Sequence, residues 1–187
     1  MSETITLTKR IADILIYLAD APNERLGYLL ARKTQNGLQV IEAIFVDSAP
    51  DSTSTMSPDD EETLKDYANR YLSLARASQS IAVISSHIHS RPFRTPIRKD
   101  DPYWSVKSTE APGTIIDGRF YATKDGGDDL AFAKENRLYD ISHHLFVHPA
   151  FGSEGQIMTP EHVQLTPFSY QPNTIGNVNP LTLEVIR

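Results

Sequence analysis

The tract Ile81-Ala82-Val83-Ile84-Ser85-Ser86-His87-Ile88-His89 constrains this chain more than any other stretch. A short apolar run rich in β-branched residues has the pattern of a buried strand. Polar, metal-competent side chains at the end of such a strand point to a site. His87 and His89 are separated by one residue, so on a strand both side chains leave the same face. Two imidazoles on one face can reach a single ion at about 2.0–2.1 Å, the usual zinc–nitrogen distance. The chain has no Cys, so any metal must be held by His, Asp, Glu or water. Asp100, on the loop that follows, is a suitable third ligand; the competing reading is a solvated loop acid beside Asp101. Three protein ligands leave a fourth position for water, the arrangement of catalytic rather than structural zinc.

Around that tract, periodicity predicts an α/β architecture. Ile11, Ile14, Leu15 and Leu18 recur at helical spacing and predict a helix over residues 8–19, with those four on one face and Asp13 and Asp20 outward. Lys9-Arg10 before this apolar run imitates the start of an export signal, but a carboxylate at Asp13 suits an amphipathic helix instead. Residues 26–31 and 38–46 read as strands joined at Gln35-Asn36-Gly37. Ser57 as cap, Pro58 at the first helical position and Asp59, Asp60, Glu61 and Glu62 at the positive end of the dipole predict a second helix to about residue 77. Its apolar stripe is Leu64, Tyr67, Tyr71, Leu74 and Ala75. Beyond the histidines, residues 90–103 read as a loop, 114–123 as a strand and 142–147 as a further strand. From Phe151 onward the chain reads as loop, apart from a strand at 181–186.

With 187 residues and 40% hydrophobic content, the chain can bury one ordinary core. The expectation is a single domain over 1–187, with an unassigned C-terminal extension from about 125. Asp and Glu outnumber Lys and Arg by 24 to 18, for a formal net charge of −6. No broad basic surface results, and nucleic acid is not an expected partner. No stretch approaches membrane-spanning length, and the lack of Cys and of any Asn-x-Ser/Thr site fits the cytoplasm. His143, His144 and His148 lack a metal-binding spacing and an acidic partner; they read as a strand with one buried, hydrogen-bonded His and the others at the surface. Tyr103 and Trp104 read as anchors of the loop. Glu42 is a rival acid within the second strand, but its alternation with Val40 and Ile44 does not bring it near the histidines.

Taken together, a Glu followed later by H-x-H-x10-D at the end of a strand that follows a helix resembles the JAMM motif of the MPN-domain metalloproteases. Asn23-Glu24-Arg25-Leu26-Gly27-Tyr28-Leu29-Leu30 resembles the family's Glu-x-x-Gly-x-Leu-Leu segment. The resemblance runs from about Thr8 to Asp100, the first half of the chain. It implies an MPN-like (cytidine-deaminase-like) fold, a mixed curved sheet flanked by helices, with Zn2+ on His87, His89 and Asp100 at the end of the central strand. It also implies that Glu24 is the general base and that the reaction is hydrolysis of an amide bond. The family's substrates are protein substrates, commonly isopeptide conjugates of ubiquitin-like proteins, and in some bacterial members related conjugates or precursor tails.

Two positions depart from the family's pattern. Ser90-Arg91 intervene before Pro92, where the family has Pro directly after the second His. Ile97 occupies the position of a Ser that donates to the tetrahedral oxyanion, and an apolar side chain cannot donate. Loss of one such donor costs about 2.7–4 kcal/mol of transition-state stabilisation; Thr95, or Ser90, is the replacement the same loop offers. Ile97 therefore supports an alternative expectation, a non-catalytic MPN-like interaction module with weak or no metal binding. A metal-dependent hydrolase of small molecules or nucleotides is a third, for which the chain offers no phosphate-cradling glycine loop. The ligand set predicts one metal per chain, lost in His87→Ala and His89→Ala and weakened in Asp100→Ala. Elemental analysis of protein purified without added metal checks this, and equal metal in wild type and the double His variant would refute it.

Overall fold

The computed structural model describes residues 3–19, 25–47, 58–88, 114–116, 119–121, 141–149, 163–170 and 178–187. In chain order the elements are β1 (Thr4–Thr8), α1 (Lys9–Ala19), β2 (Arg25–Thr34), β3 (Gly37–Asp47), α2 (Pro58–Ala77), β4 (Ile81–Ile88), β5 (Thr114–Ile116), β6 (Arg119–Tyr121), β7 (His143–Pro149), β8 (Val163–Tyr170), β9 (Val178–Pro180) and β10 (Thr182–Ile186). Among the described residues eight strands form one mixed sheet in the order β10-β1-β3-β2-β4-β7-β8-β9, and β5 and β6 form a separate pair.

The sheet curls almost into a closed barrel. Its two outermost strands, β9 and β10, are separated in sequence by Leu181 alone. Consecutive Cα atoms stand about 3.8 Å apart, so such a link brings the two margins together. Leu181 N–H donates to Pro167 O at 3.0 Å, joining β8 to the start of β10. At its other margin β10 pairs in parallel with β1, from Thr4↔Thr182 to Thr8↔Ile186.

Each face of the sheet has its own helix. On one face α1 packs with Ile5, Leu7, Leu29, Ala31, Leu38, Val40, Ile84, Ile88, Leu145 and Val147. On the other, α2 packs Leu64, Ala68, Tyr71 and Leu72 against Leu26, Tyr28, Leu30, Val46, Val83 and Ile141. β2 serves both cores, so it is buried without interruption from Leu26 to Ala31, the pattern of a strand covered on both faces. Thr8 caps α1 by accepting from Ile11 N–H at 3.3 Å.

Several sequence expectations change here. The stripe of α1 is Ile11, Ala12, Leu15, Ile16 and Ala19, while Ile14 is exposed; residues 11–19 are apolar around most of the helix, so spacing alone does not fix the phase. On α2, Leu74 is exposed and Ala68 and Leu72 take its place in the core. The expected strand over 114–123 is two three-residue strands, β5 and β6, paired antiparallel with Ile115 opposite Phe120. The supposed loop after Phe151 contains β8, and the portion beyond residue 125 supplies four of the eight strands, β7, β8, β9 and β10.

The alternation of Val40, Glu42 and Ile44 also fails. A bulge between Leu30 and Ala31 pairs them with Glu42 and Val40, leaving Ile41 over. One extra residue reverses the faces, so Val40 enters the α1 core and Ile44 the α2 core.

Gly37 closes the β2–β3 hairpin at φ 145°, a backbone conformation L side chains rarely adopt. A Cβ there would collide with the backbone of Thr4 in β1. Gly37→Ala is therefore expected to lower stability by at least about 2 kcal/mol through strain and displacement of β1. The change in denaturant midpoint measures it, and a shift within surface-substitution range would refute it.

Candidate metal centre

β4, the fifth strand in the sheet order, carries its polar end into the interior. Ser85 and Ser86 are fully buried and His87 is 3% exposed. Odd-numbered residues of β4 face α2, since Val83 lies in that core while Ile84 and Ile88 lie in the other. Ser85 and His87 therefore share the α2 face. His87 pairs with Leu26 of β2 and Phe146 of β7, and its ring meets Phe146 edge-on with centroids 6.1 Å apart.

Two hydroxyls fasten β4 to β7. Ser86 Oγ donates to Leu145 O at 2.6 Å, and Ser85 Oγ is bonded to His144 Nδ1 at 2.5 Å. A buried hydroxyl without a partner costs about 1–3 kcal/mol, so both serines need these bonds. His144 is fully buried, stacked on Phe168 with centroids 5.0 Å apart. Its Nε2 has no hydrogen-bond partner among the described residues. Burial, with a smaller contribution from the neighbouring His143, pushes its pKa from 6.5 down to about 3. His143 is partly exposed and lies 3.2 Å from Glu3 Oε2. His144 is thus a buried, hydrogen-bonded His of the kind the sequence suggested, and His143 is only partly exposed; the side chain of His148 lies outside the described residues.

Of the proposed metal ligands, only His87 falls within the described residues. His89, Asp100, Glu24 and Thr95 lie outside them, as do Ser90, Ile97, Tyr103 and Trp104. Among the described residues no group of three His, Asp or Glu side chains could hold an ion, which leaves a set containing those outside residues untouched. The register gives a narrower finding. Arg25, bonded to Glu24, is the cross-strand partner of Ile88, which is bonded to His89. Arg25 is itself held, with its Nη1 donating to Leu18 O at 2.9 Å and its Nε 2.6 Å from Asp47 Oδ1. The end of α1, the start of β2 and the end of β3 are thereby tied beside the end of β4.

The rival acid is remote. Glu42 pairs with Leu30, and Leu30 with Val83, four residues before His87, roughly 13 Å along the strand. Its charge acts instead on the buried Tyr71, whose phenol is pushed above its usual range first by burial and then by this carboxylate.

No protein-family model and no curated protein matches the sequence. Among solved structures, the chain is similar to the solution structure of protein DSY2949 from Desulfitobacterium hafniense, at 16% identity and a TM-score of 0.45, covering 97% of this chain and 92% of that one. Similarity at that level identifies no shared activity.

Burial of His144 is expected to make the fold acid-sensitive. The unfolded chain binds this proton below about pH 6.5 and the folded chain only near 3, so the stability is complete above 6.5 and drains as the pH falls through that window. The expected slope is about 1.4 kcal/mol per pH unit inside it. Denaturation of wild type and His144→Gln from pH 7 to 4 checks this, and parallel curves would refute it.

Proposed function

We propose that this chain is a zinc-dependent peptidase or isopeptidase of MPN type, acting on an amide bond in a protein substrate. The observation that carries the reading is the register at the end of β4: the neighbours in sequence of Glu24 and His89 face each other across β2 and β4. The motif's distant parts, which the sequence separates by more than sixty residues, are thus attached to adjacent strand ends. His87 supports it from the other side, as a buried imidazole at the end of a central strand.

In this reading His87, His89 and Asp100 hold the metal. Two His and one carboxylate, with a fourth position open, are one of the donor sets of catalytic zinc sites. When bound, zinc polarises a carbonyl and lowers the pKa of water. Glu24 takes the proton from the attacking water and returns it to the leaving amine. Thr95 donates to the developing oxyanion in place of the side chain that Ile97 lacks. Conjugates or precursors of ubiquitin-like proteins are the substrates the resemblance favours. Ile97 specifically favours the second reading, a non-catalytic module of the same fold.

Glu24→Gln separates the two. It keeps the shape of the side chain but cannot accept a proton, so metal content is expected to stay while hydrolysis falls at least about 10²-fold. The assay is a panel of ubiquitin-like conjugates and tailed precursors with wild type, Glu24→Gln and metal-stripped protein. Equal cleavage by wild type and Glu24→Gln would remove Glu24 from the mechanism, and cleavage by none would favour the module.

A further inference from the structure

The curled sheet leaves a seam. Among the described residues β10 pairs with β1 alone, and β8 pairs with β9 only over 168–170. Leu181 N–H and Pro167 O close one end of the seam. From that contact β10 and β8 proceed in opposite chain directions, because β10 is parallel to β4 through the intervening pairings while β8 is antiparallel to β7. Between them and α1 opens a cleft of about 400 Å³, with apolar walls of Ala12, Ile16, Leu165, Leu183, Val185 and Ile186. Val185 is 48% exposed there. Apolar surface gathered in a concavity is the mark of a binding surface.

The rim has the opposite character to the molecule as a whole. Among the described residues lining this cleft and the adjoining outer face of α1, Lys9 is paired with Asp13 at 2.6 Å, and Arg10 and Arg187 add two further positive charges. The chain as a whole carries −6, so this is a local positive balance on an acidic protein. Strand margins offer their backbone to extended polypeptide, and alternate side chains of that polypeptide settle in pockets.

The cleft also lies at the right end of the sheet. Leu165 pairs with Val147, and Val147 with Ile88. Its β8 wall is level with the last residue of β4 and two strands away, roughly 10 Å at the usual interstrand spacing. An extended chain advances about 3.3 Å per residue, so about three residues would cover that distance.

We propose that this cleft seats an extended segment of a protein substrate, apolar at alternate positions and acidic between them, added as a strand along β10. Its apolar side chains rest on Leu165, Leu183 and Val185, and its carboxylates meet Arg10 and Arg187. The fate of the bound segment rests on the amide-hydrolase reading; the binding does not.

The probe is a fluorescein-labelled octapeptide of alternating leucine and glutamate, with a leucine–lysine octapeptide as control, titrated by anisotropy into the full chain. The acidic peptide is expected to bind, and Val185→Glu to weaken it at least about tenfold. Arg10→Glu, a surface change on α1, is expected to weaken it too, which guards against misfolding of the first variant. Amide exchange over 183–186 should slow on binding. Affinity unchanged by both variants, equal binding of the lysine peptide, or no binding up to about 1 mM would overturn the proposal. So would displacement by dodecanoate without slowed amide exchange, which marks a small amphiphile's site, or a peptide-independent dimer dissolved by Val185→Glu, which marks a second copy. Zinc is measured in every sample. Peptide binding as expected with no zinc in the wild type would sink the hydrolase reading and leave the cleft standing.

Discussion

The pairing of β1 with β10 holds the rest of the architecture in place. These strands come from opposite ends of the described chain, and their five paired positions draw the last strand back beside the first. Closing so long a loop costs conformational entropy that grows slowly with length, so the pairing has to be supported by burial. Leu7, opposite Val185, and Ile5, opposite Leu183, are fully buried against α1. Full burial of such a side chain contributes about 1.5–3 kcal/mol. Once β10 is fixed, the single residue Leu181 brings β9 and β8 to the same margin, and the sheet has to curl around α1.

That curl explains which parts of the fold the sequence reveals. β2, β3, α2 and β4 carry long periodic runs, a hairpin turn and an acidic helix start, signals that arise within each segment. β1 has only Ile5 and Leu7 among three threonines, too short a pattern to separate from a loop. β8 includes Pro167 and the polar residues Gln164, Thr166 and Ser169, and Pro within a run usually demotes a strand. It is tolerated because Pro167 lies where β8 meets the seam and accepts a hydrogen bond through its carbonyl. The phase of α1 and the bulge at Ile41 depend on partners distant in sequence, which local spacing does not contain. The candidate metal set is legible as a motif, whereas the His144–Ser85 bond joins residues 59 apart and leaves no signature at either position.

Buried polarity at the end of β4 has a structural role of its own. Parallel strands pair slightly less stably per residue than antiparallel ones, and β4–β7 is a parallel pair. Ser85 and Ser86 each reach β7 on opposite faces, one to a side chain and one to a carbonyl. A slip by one residue would break both bonds and expose the α1 core residues Leu145 and Val147 to the other face. Desolvating His144 opposes folding in acid, yet the same bond makes one register far better than its neighbours. Buried polar groups commonly trade stability for uniqueness in this way.

The consequence reaches His87, which follows these serines directly. Its height along the sheet is set by β7 through the two hydroxyls, and its lateral surroundings by Leu26 and Phe146. On the other flank, Arg25 ties the start of β2 to Leu18 and Asp47. The strand end is thus braced from both neighbours by side chains that the apolar cores do not require. Apolar residues at 85 and 86 would deprive the buried His144 Nδ1 and Leu145 O of these bonds, at about 1–3 kcal/mol for each buried group left unsatisfied. The two bonds therefore fix the last residues of β4 against β7 in a single register.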